Sequence, residues 1–391
     1  MLSAYIPSKR DWVIAAAFLI AAPASALAGP YVQTNLVSDI PGFAIITDPA
    51  LVNPWGFSHS ATSPFWISDQ GQNASTLYAV TGQTNVSKVN INAPSGLVMI
   101  PTTGGGPQGP TGQVNSGNAT GFLVGNGGNG SHANFIFGNL NGTISAWNAG
   151  PTAFVQTTVA GAVFTGLTIN QAQNQLYAAN SAGTGGIQVF DSTFATASLP
   201  SGAFATPANI TALGLVTFNV KDIGGNVYVT YAPSGRPAQT SATGGMGAVA
   251  VFSESGTLIR TIVNNQLASP WGVAVAPSQF GPFSGDLLVG NFSFVDSEIN
   301  AFDPLTGMFV GSIPINTGAE GAGGLWDIGF GTGGSNGDPN TLYFNDGIDG
   351  ESKGLFAAIT FVPEPFTLSV FGAGLAGAAF VRRRQKAKGT K

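Results

Sequence analysis

One short unit recurs six times along this chain: an apolar segment opening on a small or aromatic residue, a turn, an apolar strand ending on a polar side chain, and a further strand. The clearest copy reads Pro270-Trp271-Gly272-Val273-Ala274-Val275, then Asp286 to Asn291, then Glu298 to Asp303. Its counterpart near the start reads Pro54-Trp55-Gly56-Phe57, then Phe65 to Asp69, then Thr76 to Val80. The other four open at Thr120-Gly121-Phe122-Leu123, Thr165-Gly166-Leu167-Thr168, Phe218-Asn219-Val220 and Leu325-Trp326-Asp327-Ile328. A unit of three or four short strands cannot bury its apolar face alone, so the copies must stack on one another. Six copies rich in β-branched and aromatic residues predict an all-β fold, a six-bladed β-propeller of four-stranded blades over residues 29–361.

Composition supports many short strands joined by turns: 56 glycines, with charged residues only 8% of the chain. Glycine and asparagine supply the positive φ angles of tight turns. With 43% hydrophobic residues there is enough apolar side chain for a core, which excludes general disorder. The chain has no cysteine, so packing and strand pairing must hold the fold, and thiol chemistry is excluded. The Gly- and Pro-rich segment 93–118 and the loop 232–245 lengthen the repeat and are expected to project as surface loops. The last unit has three strands before the tail begins. The segment Tyr31 to Val37 is therefore expected to supply its missing outer strand and remove an unpaired edge.

Both ends read as export signals. Residues 1–28 carry Lys9 and Arg10, an apolar run from Trp12 to Ile20, and Ala26-Leu27-Ala28. That order is a secretory signal peptide with cleavage after Ala28, Ala26 and Ala28 being the small residues at the cleavage positions. At the other end, residues 362–391 hold Val362-Pro363-Glu364-Pro365, an apolar stretch from Phe366 to Val381, and Arg382-Arg383-Arg384. As a helix that stretch spans about 24 Å, a little under the roughly 30 Å of a bilayer core. The arginines favour the cytoplasmic side and so place the domain outside.

The tail resembles the PEP-CTERM sorting signal of Gram-negative bacteria. The resemblance implies a hydrophobic sorting helix, export through the Sec translocon, transient anchoring in the inner membrane, processing by an exosortase, and delivery to the cell surface or outside. The segments Pro270 to Pro277 and Ile299 to Pro304 resemble NHL-type propeller repeats. The stretches Asn35 to Asp39, Asn53 to Gly56 and Phe218 to Gly225 resemble an uncharacterised bacterial family of PEP-CTERM-associated propellers. The resemblance implies the fold and no established chemistry.

Between Gly29 and Pro363 there are five basic residues against sixteen acidic ones, a net charge of −11. Such a domain repels polyanions, which excludes nucleic acid as a partner. An exopolysaccharide, a matrix protein or a divalent cation fits. Aligning the second strands of the six units places Asp69, Asn139, Asn180, Tyr231, Asn291 and Asp346 at one shared position, five of the six being Asp or Asn. Equivalent blades would set them in a ring near one channel mouth, with Asp349 and Glu351 close by. Two readings follow: an oxygen-only shell for a hard cation such as Ca²⁺, or Asp and Asn side chains capping turns.

Trp55, Trp271 and Trp326 recur at the start of inner strands and are expected to pack between blades rather than stack on sugars. His59 and His132 lie in different units with no nucleophile beside them, so no Ser-His-Asp arrangement is indicated. The sequence therefore predicts an exported binding or structural module of the surface or matrix. The enzymatic alternative is a cation-dependent propeller of the lactonase or lyase type.

Overall fold

The computed structural model describes residues 30–91, 95–102 and 108–363. The expected signal peptide with Ala26 and Ala28, and the expected sorting tail from Glu364 through Pro365 and Arg382, Arg383 and Arg384, lie outside the described residues. Among those described, no helix is long and apolar enough to cross a membrane.

Six antiparallel sheets follow one another along the chain as blades. Blade 1 comprises Pro54–Ser58, Phe65–Asp69, Ala74–Thr81 and Asn85–Lys88. Blade 2 comprises Gln113–Asn115, Phe135–Gly138, Thr143–Trp147 and Phe154–Thr158, and blade 3 Phe164–Ile169, Gln175–Asn180 and Gly186–Asp191. Blade 4 runs from Leu215–Ile223 through Asn226–Pro233 and Ala248–Ser253 to Leu258–Val263. Blade 5 runs from Pro270–Val275 through Leu287–Asn291 and Glu298–Phe302 to Phe309–Pro314. Blade 6 has Leu325–Phe330, Leu342–Asp346 and Leu355–Phe361.

The missing strand of blade 6 comes from the other end of the domain. Tyr31–Ser38 pairs antiparallel with Leu355–Phe361, Tyr31 facing Phe361 and Ser38 facing Leu355. Leu36 and Val37 are fully buried beneath it. Tyr31 also reaches blade 5, donating from Oη to the Phe280 carbonyl at 2.7 Å and stacking on Phe283 with centroids 5.5 Å apart. The ring closes where the unpaired edge required it.

Two expectations need correction. The inner strand of blade 2 is Gln113–Asn115 and not 120–123; Leu123 makes only an isolated bridge to His132. The segment 93–118 is thus not wholly a projecting insert, because its end enters the ring. Blade 3 has three strands, since beyond Asp191 the chain pairs back only briefly, Thr196 bridging to Phe190 and the Ala197 amide donating to the Val189 carbonyl. Pro200 and Pro207 follow and cannot donate to a ladder.

Alternation along each strand sends side chains to opposite neighbours. In Phe65–Asp69, Phe65 and Ile67 pack with Tyr343 and Phe356 of blade 6. Trp66 turns the other way and stacks on Phe135 of blade 2 at 4.0 Å. Each such buried aromatic contributes about 1.5–3 kcal/mol.

Around the axis, the third residue of each inner-strand unit touches the next blade. Going round, these are Gly56, Gly112, Gly166, Asn219, Gly272 and Asp327. A Cβ on Gly56 would sit 2.8 Å from the Thr111 carbonyl, and one on Gly112 would overlap the Leu167 amide. Gly166 likewise abuts Asn219, and Gly272 the Trp326 carbonyl. The two exceptions bridge with side chains. Asn219 Nδ2 donates to the Trp271 carbonyl at 2.8 Å, and Asp327 Oδ2 accepts from the Phe57 amide at 3.1 Å. The glycines are required by this close approach of backbones.

Candidate functional site at the open mouth of the channel

The two ends of the channel differ. At the starts of the inner strands, Trp55 stacks on Trp326 with centroids 3.5 Å apart, and Trp271 meets Trp326 edge-on at 5.6 Å. Phe218 and Phe292 complete this buried cluster. The loop 232–245 does not project: its Arg236 guanidinium lies 4.3 Å over Phe292 and pairs with Glu351. Burial lowers the Arg236 pKa to about 10. The aromatic residues and this arginine fill the axis at that end.

The opposite end is open. Where the inner strands finish, a cavity of about 510 Å³ is lined by His59, Gln113, Gln171, Lys221, Asp222 and Thr332, with apolar wall from Phe57, Val273 and Phe330 among others. An ion pair crosses this end, Lys221 Nζ of blade 4 lying 3.1 Å from both carboxylate oxygens of Asp327 in blade 6. Asp327 also accepts from the Phe57 and Ile328 amides, so its charge is held from three sides. Lys221 further sits 5.8 Å over the Phe57 ring.

His59 lies with Nδ1 3.0 Å from the Ser60 carbonyl and Nε2 3.3 Å from the Phe330 carbonyl. Burial outweighs these contacts and lowers its pKa. It is fixed in the wall by those carbonyls and by Asn336 Nδ2, 3.2 Å from its Nδ1.

Several polar groups here have no partner. Gln113 is 4% exposed, and its Nε2 donates to the Gly56 and Trp66 carbonyls, which fixes the amide orientation. Its Oε1 then meets no donor, and neither does the Ser58 hydroxyl nor Asp222 Oδ2. Asp222 Oδ1 accepts from Gln171 Nε2 at 2.6 Å and from the Gly225 amide at 3.0 Å. Burial, opposed by those two hydrogen bonds and reinforced by the neighbouring Glu254 carboxylate, raises its pKa to about 6. Buried unpaired acceptors cost free energy, and these three lie behind the lining surface rather than on it.

The residues aligned from the sequence occupy equivalent places at the other end. Asp69 faces Pro54 in the ladder, Asn180 faces Phe164, Asn291 faces Pro270 and Asp346 faces Leu325. Each therefore sits at the start of an inner strand, on the aromatic side. The asparagines bond locally: Asn139 Nδ2 to Thr143 Oγ1 at 2.7 Å, Asn180 Oδ1 from the Val163 and Ala182 amides, Asn291 Oδ1 from the Ala268 amide.

Asp69 and Asp346 are fully buried, and neither carboxyl has a hydrogen-bond partner of good geometry. Burial pushes the Asp69 carboxyl well up, opposed by Thr76 and Lys88 and reinforced by Asp48. Burial alone raises Asp346 to about 7. Asp69 lies on the side of its strand that packs on blade 6, Asp346 on the side that packs on blade 5. Among the described residues no three His, Asp or Glu side chains gather as a metal-binding group.

No family model matches the chain. Two uncharacterised proteins of Acanthamoeba polyphaga mimivirus are each 28% identical to it. Their matches run over 297 and 296 residues, covering 71% and 72% of this chain and 67% and 74% of theirs. Among solved structures, a protein of unknown function from Bacteroides thetaiotaomicron has a TM-score of 0.48 at 10% identity, covering 84% of this chain and 76% of that one. A streptogramin B lyase structure has a TM-score of 0.48 at 11% identity, covering 84% and 97%. These likenesses carry nothing about activity.

Proposed function

We propose that this protein is an exported propeller of the cell surface or extracellular matrix that binds a hydroxyl-rich ligand, such as an exopolysaccharide, in the open mouth of its channel. The observation that supports this reading is the cavity itself, open and lined by amide side chains and Lys221 while the other end is filled. Hydroxyl groups pair with such amides, and the half-buried Phe330 offers ring surface for the apolar side of a sugar.

Delivery rests on the sequence signals at the two ends: a leader for the Sec translocon and a PEP-CTERM tail for an exosortase. Of the tail motif, Val362 and Pro363 end the described chain. The test has two arms. The domain from Gly29 to Pro363 should retain soluble polysaccharide from a matrix preparation, and lose it when Gln171 and Gln173, which both line the cavity, are changed to alanine. Replacing Pro363-Glu364-Pro365 by alanines should leave the domain folded but the tail uncleaved in the inner membrane. Equal retention by the variant would reject the binding reading, and unchanged processing would reject the exosortase.

One cofactor belongs to this proposal. Ca²⁺ is the candidate for the carboxylate of Asp69 or Asp346 taken singly, with no further acidic pair gathered about either among the described residues, and the competing occupant of each is a proton.

A further inference from the structure

The outer strands of the ring differ in what they show to solvent. Antiparallel order starts every fourth strand on the side of the open mouth. In blade 4 that start is Leu258-Ile259 and in blade 5 it is Phe309-Val310, all four exposed. Ile259 and Val310 hold the same place. Each is the extra residue of a bulge, between the pairings of Leu258 with Phe252 and Arg260 with Val251, and of Phe309 with Phe302 and Gly311 with Ala301. A bulge re-aims a side chain and blunts an edge against pairing, yet these two carry apolar residues. Blade 1 starts its fourth strand on the exposed Asn85, and the bulge of blade 2 carries Gln156.

The hairpin before Phe309 extends the apolar surface, with Leu305 79% and Met308 67% exposed. Asp303 Oδ1 fixes its turn by accepting from the Leu305 and Thr306 amides. A Cβ on Gly307 of this hairpin would lie 3.1 Å from Ile262 of blade 4, so the two edges are continuous. Towards blade 6, Gly311 abuts Phe283, which stacks on Tyr31, and Tyr31 meets Phe361 with centroids 5.8 Å apart. Val32 and Val362 are exposed beside that contact. Eight of the sixteen exposed large apolar side chains among the described residues thus gather on one side of the rim, where a surface without a partner scatters them.

The chain also leaves the disc inside this patch. Phe366, where the apolar stretch begins, stands four residues beyond Val362, a reach of at most about 14 Å. Resting on the reading of Phe366 to Val381 as a membrane segment, we infer that the mouth-side rim of blades 4 to 6 docks on the lipid bilayer that holds the tail. So short a tether keeps the patch at the bilayer surface, and burial of its apolar side chains stabilises the contact. The domain carries −11, which repels an anionic leaflet. Docking is therefore apolar and needs no acidic lipid.

The chain has no cysteine, so a single introduced one takes an environment-sensitive fluorophore cleanly. The chain from Gly29 to Lys391, the exported form on that reading, is reconstituted into phosphatidylcholine vesicles with and without brominated lipid. The label is placed by Leu305→Cys, or by Ala149→Cys in the corresponding hairpin of blade 2, also exposed. At 305 its emission should shift to the blue and be quenched by brominated lipid, and at 149 it should report water. Added phosphatidylglycerol should not strengthen the quenching. Leu258→Ser, Ile259→Thr and Met308→Ser together, all at exposed positions and checked by melting temperature, should return the label at 305 to water while the chain still floats with the vesicles.

A chain that does not float with vesicles would overturn the membrane reading of the tail and this inference together. A floating chain whose labels both report water, or are quenched alike, would overturn the inference alone. Quenching that survives the triple substitution, or that appears only with phosphatidylglycerol, would overturn it too. A label at 305 shielded from water but out of reach of brominated lipid would assign the patch to a second copy of the chain instead.

Discussion

Replacing Asp346 by asparagine should invert the order of stability between acid and alkaline solution. Asp346 is fully buried at the end of a second strand, and its carboxyl has no donor. Burial pushes its folded pKa up to about 7, against 3.8 for an ordinary aspartate. Below the lower value both states hold the proton, and the full stability is present. Between the two values the unfolded chain releases the proton while the folded one keeps it, so stability falls by about 1.4 kcal/mol per pH unit as pH rises. By about pH 8 the accumulated loss is about 4 kcal/mol. Asparagine cannot ionise and escapes this loss, but its buried amide brings unmet hydrogen bonds costing about 1–3 kcal/mol. The wild type should therefore melt higher near pH 4.5, and the variant higher near pH 8.5, by a few degrees in each case. Thermal melts of both proteins across this range read the crossover directly, and the other titrating groups cancel in the difference. Two melting curves that stay parallel with pH would refute the reasoning.

Added Ca²⁺ should raise the melting temperature and flatten the pH slope, because a cation holds Asp69 or Asp346 ionised. Melting indifferent to Ca²⁺ and to chelator would assign these carboxyls to protons alone. Gly112→Ala should destabilise by more than about 1–3 kcal/mol, since its Cβ would overlap the Leu167 backbone and backbone cannot step aside. Gly321→Ala, with open space around it, should be neutral, and equal melting of the two variants would reject the axial-contact argument. Leu36→Ala should cost about 2–5 kcal/mol in denaturant unfolding; a change under about 0.5 kcal/mol would mean the closing strand is not needed.

The ring and its closure were legible because each blade repeats a patterned unit, and Tyr31 to Val37 was the one strand-like segment without a sheet. Blade 2 hid its inner strand because Thr111 stands where Trp55, Trp271 and Trp326 stand in three other blades. The Pro110-Thr111-Gly112 order is the signal that would have found it, since Gly112 makes the same axial contact as Gly56. The alignment of Asp69, Asn180, Asn291 and Asp346 was sound as register, for each faces the start of its inner strand. It led to the filled end because antiparallel neighbours run oppositely: the tail of a second strand lies at the head of the first. The open mouth draws its groups from five separate strand ends, and no local spacing joins His59, Gln113, Gln171 and Lys221. The legible hint was scarcity, a lysine and two aspartates, Lys221, Asp222 and Asp327, placed on inner strands of a chain with 8% charged residues.

The closing strand has a consequence for how the molecule is assembled. Tyr31–Ser38 pairs along its length with Leu355–Phe361, Val37 and Ser38 alone also meeting Ile46–Thr47 on the other edge, and the Val362 amide reaches the Pro30 carbonyl at 2.6 Å. A chain synthesised from its first residue carries the edge of this strand that faces Leu355–Phe361 unpaired until the final blade has been made. Completion therefore depends on the longest-range contact in the domain, which slows folding. The same juxtaposition leaves the two ends of the disc side by side at one point of its rim. A short linker could join them and new ends be opened between any two blades, giving a permuted disc that no longer waits for its first strand.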